Sequence, residues 1–185
     1  SPSIRENIME GLRFARENPT VRATLAVTII LNLFGFSFVS MIPVIAREEL
    51  GLSPFPTGIL MSADGFGAFL GALLIAFFAH SRRFHQIFMG GAMLYLSCIM
   101  GFALSGQFWL SMVALWMGGF GMSGFAAMQS ALIIASSPPE MRNRVMGVLV
   151  MCIGLGPFGI LMVGSLADWL SAAVAIRFTA GVGLL

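Results

Sequence analysis

A stretch without a single charged side chain, from Gln86 to Pro139, constrains the fold of this chain more than any other feature. Hydrophobic residues make up 58% of the 185 residues and charged residues only 10%, too little charge to cover the surface of a soluble fold. Uncharged runs of this length are typical of helices that span a lipid bilayer. The sequence therefore predicts an all-α integral membrane protein whose first partner is the lipid bilayer.

Six membrane-spanning helices are predicted, because a span needs about 20 mainly apolar residues. The long uncharged run exceeds one span and divides at Ser105-Gly106-Gln107. The last span is too short to cross about 30 Å of hydrocarbon, so we expect the chain to be a fragment of a longer protein. The predicted spans are 23–45, 56–78, 87–104, 108–134, 145–167 and 172–185.

The N-terminal segment 1–22 is predicted to be a separate element, because its charged and apolar residues alternate at helical spacing. We expect an amphipathic helix at the cytoplasmic membrane surface, which links the transmembrane domain 23–185 to a preceding half. Asn18 is predicted to cap span one. Ser137 and Glu140 have the spacing of a capping box, which predicts the start of span five.

The arginines predict the orientation of the chain, because cytoplasmic loops retain positive charge. Two of them, Arg47 and Arg177, fall on one side of the predicted bundle. The other eight fall on the opposite side, so both termini are expected in the cytoplasm. These eight are Arg5, Arg13, Arg16, Arg22, Arg82, Arg83, Arg142 and Arg144.

Asp64 is the only acidic residue deep inside a predicted span. An aspartate near the bilayer centre costs about 2.5–3.5 kcal/mol on insertion. Gly67 and Gly71 share its helical face, so the carboxylate is expected to point towards protein or a water-filled path. One interpretation is a residue that couples proton or cation movement to transport, and the other is a structural hydrogen bond to a neighbouring helix.

Three uncharged polar residues also lie within predicted spans. Asn32 and Ser40 belong to a weak polar stripe on span one, and Gln129 lies near the end of span four. These side chains are candidates for lining a substrate path. The alternative is that they form hydrogen bonds between helices, which is common for polar residues in membranes.

Glycine spacing predicts a tightly packed bundle, because small residues four apart let membrane helices approach closely. Gly67 and Gly71 have this spacing in span two, and Gly121 belongs to a glycine cluster in span four. Gly156 and Pro157 predict a kink in span five.

The residue pattern does not predict an enzyme. His80 and His85 share one loop without cysteine or carboxylate partners, so neither a metal site nor a cofactor is expected. Cys98 and Cys152 lie within spans and are expected to be packing residues. The arginines fall in short loops, as orientation requires, so the net charge of +2 does not indicate nucleic-acid binding.

Three motifs resemble the major facilitator superfamily of transporters, in its enterobactin-exporter and transmembrane-secretion-effector branch. They are Arg13–Pro19 before span one, Ile42–Gly51 after it and Pro139–Gly147 before span five. The last is the most specific, although Asn143 stands where that branch usually has Gly. Together the motifs extend over most of the chain.

The resemblance implies the C-terminal six-helix half of a 12-helix transporter, built from two inverted three-helix repeats. It would rock against a missing N-terminal six-helix half and export a siderophore-like or drug-like small molecule in exchange for protons, across the inner membrane of a bacterium. Spans one, two and four would line the interface between halves, and span three would face lipid. The alternative is a non-transporting six-helix scaffold or receptor-like membrane protein.

The resemblance also assigns a cytoplasmic gate to four arginines. The loop 79–84 stands where the superfamily has a Gly/Asp/Arg motif, but it lacks the Gly and the Asp. Arg82 and Arg83 would then act there, and Arg142 and Arg144 would pair with acidic groups or helix C-termini. The alternative is that these arginines only orient the chain.

Overall fold

The computed structural model describes residues 4–185, so the first three residues of the predicted surface helix lie outside the described part. The described residues form helices joined by short connections, which confirms the all-α prediction. A π-helical turn (Leu31–Gly35) and a 3-10 segment (Phe36–Met41) join the second helix to the third. The helices are α1 (Ile4–Glu17), α2 (Pro19–Ile30), α3 (Ile42–Glu48), α4 (Pro54–Phe78), α5 (Phe84–Leu104), α6 (Phe108–Ser136), α7 (Pro139–Ile153), α8 (Gly156–Trp169) and α9 (Ala172–Leu184).

Within residues 4–185, five helical segments are long and apolar enough to cross a membrane. A shorter apolar helix, α9, takes the position of the sixth predicted span. The five are span one (Pro19–Glu48), span two (Pro54–Phe78), span three (Phe84–Leu104), span four (Phe108–Ser136) and span five (Pro139–Trp169).

Asn18 separates α1 from span one, as predicted. Its side-chain oxygen accepts hydrogen bonds from the backbone N–H groups of Thr20 at 3.1 Å and Val21 at 3.2 Å. Its side-chain N–H donates to the carbonyl of Ser136 at 3.1 Å, at the end of span four. Because Asn18 caps the helix, span one begins at Pro19 rather than at residue 23.

The surface helix α1 packs against the first turns of span five. Gly11 permits this approach, because a Cβ at that position would lie 2.9 Å from the carbonyl oxygen of Arg144. Glu10 forms an ion pair with the Arg144 side chain. Beneath the contact is a small apolar core formed by Ala15, Val21, Leu25, Ile133, Val145, Val148, Leu149 and Cys152. These contacts join α1 to the bundle.

Span four lies between span two and span three and packs closely against both. Towards span two, a side chain at Gly119 would collide with the backbone carbonyl of Asp64, and one at Gly67 would collide with the backbone of span four. Towards span three, a Cβ at Gly121 would lie 2.8 Å from the carbonyl oxygen of Gly91. Glycines on two faces of span four therefore set the spacing of three helices.

The expectation that span three lies at the periphery is wrong. Its inward face is buried against span four, α9 and the π-helical turn of span one. Span two packs mainly on span four and leaves large side chains such as Phe69 and Phe77 exposed. The physical reason is that span three contributes a row of mostly large apolar side chains to the core, namely Phe88, Ala92, Tyr95, Leu96, Ile99 and Phe102.

The capping box predicted before span five does not form. Pro138 occupies the cap position with φ −58° and ψ 151°, and the hydroxyl of Ser137 is buried without a hydrogen-bond partner among residues 4–185. Two consecutive prolines begin the new helix one residue later than the box requires. Ser137 instead ends span four, and its carbonyl accepts a hydrogen bond from the Arg142 side chain at 3.2 Å.

Span five is interrupted between Ile153 and Gly156. Pro157 has no N–H to donate to the carbonyl of Ile153, and its ring crowds that carbonyl, so the helix cannot continue through this point. It restarts with Pro157 in the first turn of α8, where a missing N–H is tolerated. The kink therefore lies just before the Gly-Pro pair.

Candidate functional site

Asp64 lies on the side of span two that meets span four. Gly67 and Gly71 continue this contact surface, and a side chain at Gly71 would collide with Ser123 of span four. The Asp64 residue as a whole is half-buried, but its Oδ1 atom is buried and has no hydrogen-bond partner among the described residues. Buried polar atoms are nearly always paired, so this oxygen is a candidate for chemistry rather than packing.

Tyr95 of span three is a second buried polar group close to Asp64. It is the only tyrosine in the chain, and its hydroxyl also has no hydrogen-bond partner within residues 4–185. Its ring packs against Phe36 at 5.6 Å and Phe38 at 5.9 Å between ring centroids. Asp64 is near enough to interact with it electrostatically.

The sequence analysis did not single out Tyr95, although a signal was present. A lone tyrosine in an uncharged span brings a hydroxyl into the apolar interior, where it usually needs a partner. The structure places Tyr95 beside Gly118 of span four and Asp64 beside Gly119. Two adjacent glycines of span four therefore lie next to the Tyr95 ring and the Asp64 backbone, respectively.

Asn32 and Gln129 meet through Thr28, which is fully buried. The Thr28 hydroxyl lies 3.3 Å from the side-chain oxygen of Gln129 and donates to the carbonyl of Thr24 at 2.8 Å. The side-chain N–H of Asn32 donates to the carbonyl of Thr28 at 2.8 Å. These contacts form a polar connection between span one and span four.

This polar connection lies away from Asp64. Gln129 is ten residues beyond Gly119, the neighbour of Asp64, which is about 15 Å along span four. Ser40 is also apart, because it is exposed and its hydroxyl donates to the carbonyl of Ser37 at 2.7 Å. The predicted path residues therefore occupy three places in the bundle.

Asn32 lies where two irregular helices meet. It belongs to the π-helical turn of span one, and a Cβ at Gly156 in span five would lie 3.7 Å from its side-chain oxygen. Close by, a Cβ at Gly159 would lie 2.5 Å from the carbonyl oxygen of Leu33. Breaks in helical geometry such as these occur often at functional sites.

The four predicted gate arginines fall into two groups with different surroundings. Arg144 forms an ion pair with Glu10 of α1, and Arg142 binds the C-terminal carbonyl of span four. Arg82 and Arg83 are exposed, and their side chains form no hydrogen bond or ion pair within residues 4–185. Arg142 and Arg144 thus hold α1 and span five in place. Arg82 and Arg83 remain available to bind a group outside the described residues.

The chemistry available inside the spans is proton transfer and hydrogen bonding. In the described part of the chain, no three residues of the types His, Cys, Asp and Glu come together as metal ligands. The other aspartate, Asp168, lies at the end of span five beside Glu48 and Ser171. Asp64 therefore provides a carboxyl group within the bundle that accepts hydrogen bonds when ionised and donates one when protonated.

Comparison with protein families gives a match over the whole chain. The model of the family described as transmembrane secretion effector, of the major facilitator type, matches residues 1–185. No curated protein and no solved structure matches the chain. The family match extends over the surface helix as well as the spans.

Proposed function

We propose that this chain, which belongs to the transmembrane secretion effector family, is part of a proton-coupled exporter of small molecules. Members of this family are membrane transporters rather than enzymes. Asp64 carries this proposal. It places a titratable oxygen, which has no hydrogen-bond partner within the described part of the chain, at the contact of span two with span four. A secondary transporter needs such a group to link proton movement to a change of conformation.

Asp64 couples proton binding to conformation, because its charged and neutral forms differ in stability between packed helices. An ionised carboxylate between closely packed helices is unfavourable, and a proton removes that charge. Protonation therefore favours the close contact of span two with span four, and proton release favours its opening. Tyr95, which packs beside Gly118 of span four, supplies a buried hydroxyl that interacts electrostatically with Asp64.

The chain acts as the C-terminal half of the transporter, composed of two inverted three-helix repeats, in the enterobactin-exporter branch. Span two supports this assignment, because its outward side chains are large, apolar and uncovered, as in Phe55, Phe69 and Phe77. An N-terminal six-helix half packs here and rocks against the bundle in alternating access.

The substrate path follows the polar connection of Thr28, Asn32 and Gln129, with Ser40 further towards the other end of span one. A few polar groups among apolar walls suit a siderophore-like or drug-like molecule. Arg82 and Arg83 belong to the cytoplasmic gate, where Arg82 contacts the other half. Arg142 and Arg144 brace the same end of the bundle from within.

This function is tested by measuring proton movement across a membrane when a candidate substrate is added. Everted membrane vesicles that contain the protein are energised, and a pH-sensitive dye reports the gradient while candidate siderophores and cationic drugs are added. We expect at least one compound to dissipate the gradient, and vesicles without the protein to show no response. A protein that binds such compounds without moving protons or substrate would be the scaffold or receptor of the alternative interpretation.

The orientation in a bacterial inner membrane, with both termini in the cytoplasm, is tested by cysteine labelling. Both native cysteines, Cys98 and Cys152, are first replaced, and single cysteines are then introduced at the exposed positions His80 and Gly106. A membrane-impermeant thiol reagent applied to intact cells is expected to label position 106 and to leave position 80 unlabelled until the membrane is opened. Labelling of both positions from outside would contradict the topology.

A further inference from the structure

A cleft opens between span two and span three, and span four forms its floor. The cavity has a volume of about 360 Å³. Leu74 and Phe78 form one wall, and Ile87 and Leu94 form the other. Phe120 contributes to the floor. The cleft opens sideways, because its two walls are candidate membrane spans that make few contacts with each other.

Glycines give the cleft its depth. Gly71, Gly91, Gly121 and Gly124 line it where the three spans approach, and each lies close to a neighbouring helix. Gly90 lines it as well, but a Cβ there would have no atom within 4 Å. The space beside Gly90 is therefore an open apolar channel and not a helix contact.

One positive charge stands at the end of the cleft. Arg83 lines it where span three begins, next to Gln86. The Arg83 side chain is exposed and forms no hydrogen bond or ion pair within residues 4–185. Among the described residues no acidic side chain lines the cavity, so an anion at this end meets no negative charge.

We propose that this cleft binds one anionic phospholipid, with an acyl chain between spans two and three and its phosphate on Arg83. The charges are complementary, because a guanidinium binds phosphate through paired N–H donors. Basic sites between membrane helices at the level of the head groups are suited to acidic lipids. A polar transport substrate fits less well, because the lining offers Arg83 and Gln86 at one end and only apolar side chains elsewhere.

Native mass spectrometry of the purified protein measures this binding directly. The protein in detergent is titrated with phosphatidylglycerol and with phosphatidylcholine carrying the same acyl chains. We expect one phosphatidylglycerol to bind in preference to phosphatidylcholine, and Arg83→Gln to weaken it about fivefold, the effect of one basic residue at a membrane surface. Arg47→Gln, an exposed arginine at the other end of the bundle, is the matched charge control and is expected to bind like the unaltered protein.

The apolar part of the site is tested on a single helix. Gly90→Leu places a large side chain in the channel at a position where a Cβ meets no atom within 4 Å, so it is expected to remove the bound lipid while the protein stays folded. Gly101→Leu is the matched control, because Gly101 is in the same helix, also has open space around it and does not line the cleft. Thermal melting of both variants verifies that the fold is intact.

Five results would overturn the proposal. Equal affinity for the two lipids, or unchanged binding by Arg83→Gln, would remove the anionic site. Unchanged binding by Gly90→Leu would place the acyl chain elsewhere. Inorganic phosphate that binds as tightly as the lipid would leave only an anion site, and a lipid-free dimer abolished by Gly90→Leu would assign the cleft to a second copy of the chain.

Discussion

Replacement of Asp64 by Asn is expected to abolish proton-driven efflux and leave the bundle folded. Asparagine has nearly the same shape and retains a hydrogen-bonding side chain, but it does not titrate. The neighbouring contacts of Gly67 and Gly119 involve backbone atoms, which the substitution leaves unchanged. Efflux driven by a pH gradient in everted vesicles should fall to the level of vesicles without the protein, whereas substrate binding should persist.

Asp168→Asn is the matched control, because it makes the same chemical change at the end of span five. This variant is expected to transport normally. Proton-driven efflux by Asp64→Asn would exclude coupling at this position. Failure of Asp64→Asn to fold, with Asp168→Asn intact, would support the structural interpretation of the carboxylate.

Tyr95→Phe separates the roles of the two buried groups. Because Tyr95 interacts electrostatically with Asp64, removal of its hydroxyl should shift the pH at which efflux is half-maximal without abolishing transport. An unchanged pH profile would leave Asp64 to act without Tyr95, and the coupling role of Asp64 would stand.

Two alanine substitutions in span two are expected to change stability in opposite directions. Gly67→Ala should lower the free energy of unfolding by about 1–3 kcal/mol, the usual cost of overpacking. The new methyl group would collide with the carbonyl of Trp116, and a backbone carbonyl cannot rotate away as a side chain does. Gly65→Ala should instead raise the free energy of unfolding by up to about 1 kcal/mol, because alanine is the better helix former.

The pair is well matched, since Gly65 lies two residues away in the same helix and a Cβ there meets no atom within 4 Å. Thermal or chemical unfolding of the purified protein in detergent measures both effects. Equal stability of the two variants would mean that span two does not pack against span four as closely as the structure indicates.

The helices were largely predictable, because the signals that define them are local. Long uncharged runs predicted the spans, and Asn18 predicted the break before span one. The capping box at Ser137 failed because Pro138 and Pro139 restrict the backbone in a way that the spacing of Ser and Glu does not reveal. The π-helical turn at Leu31–Gly35 was not predictable, because it depends on contact with Gly159 of another span.

The site was predictable in part. The cost of a carboxylate inside a span was enough to single out Asp64. The meeting of Asn32 with Gln129 through Thr28 depends on the rotation of two helices about their axes, which periodicity alone does not determine. The wrong placement of span three has a similar origin, because span three is almost uniformly apolar and its sequence does not mark an inward face.

The adjacent glycines of span four limit how this helix can change in length during evolution. Gly119 faces span two, and Gly118 and Gly121 face span three. An insertion or deletion of one residue between positions 108 and 115 would leave these contacts in register, whereas one between 119 and 121 would rotate the remainder of the helix by about 100°. Bulky side chains would then enter both helix contacts at once. Homologous chains are therefore expected to vary in length at the ends of this helix and not at its centre, which an alignment would reveal as a gap-free block around the glycines.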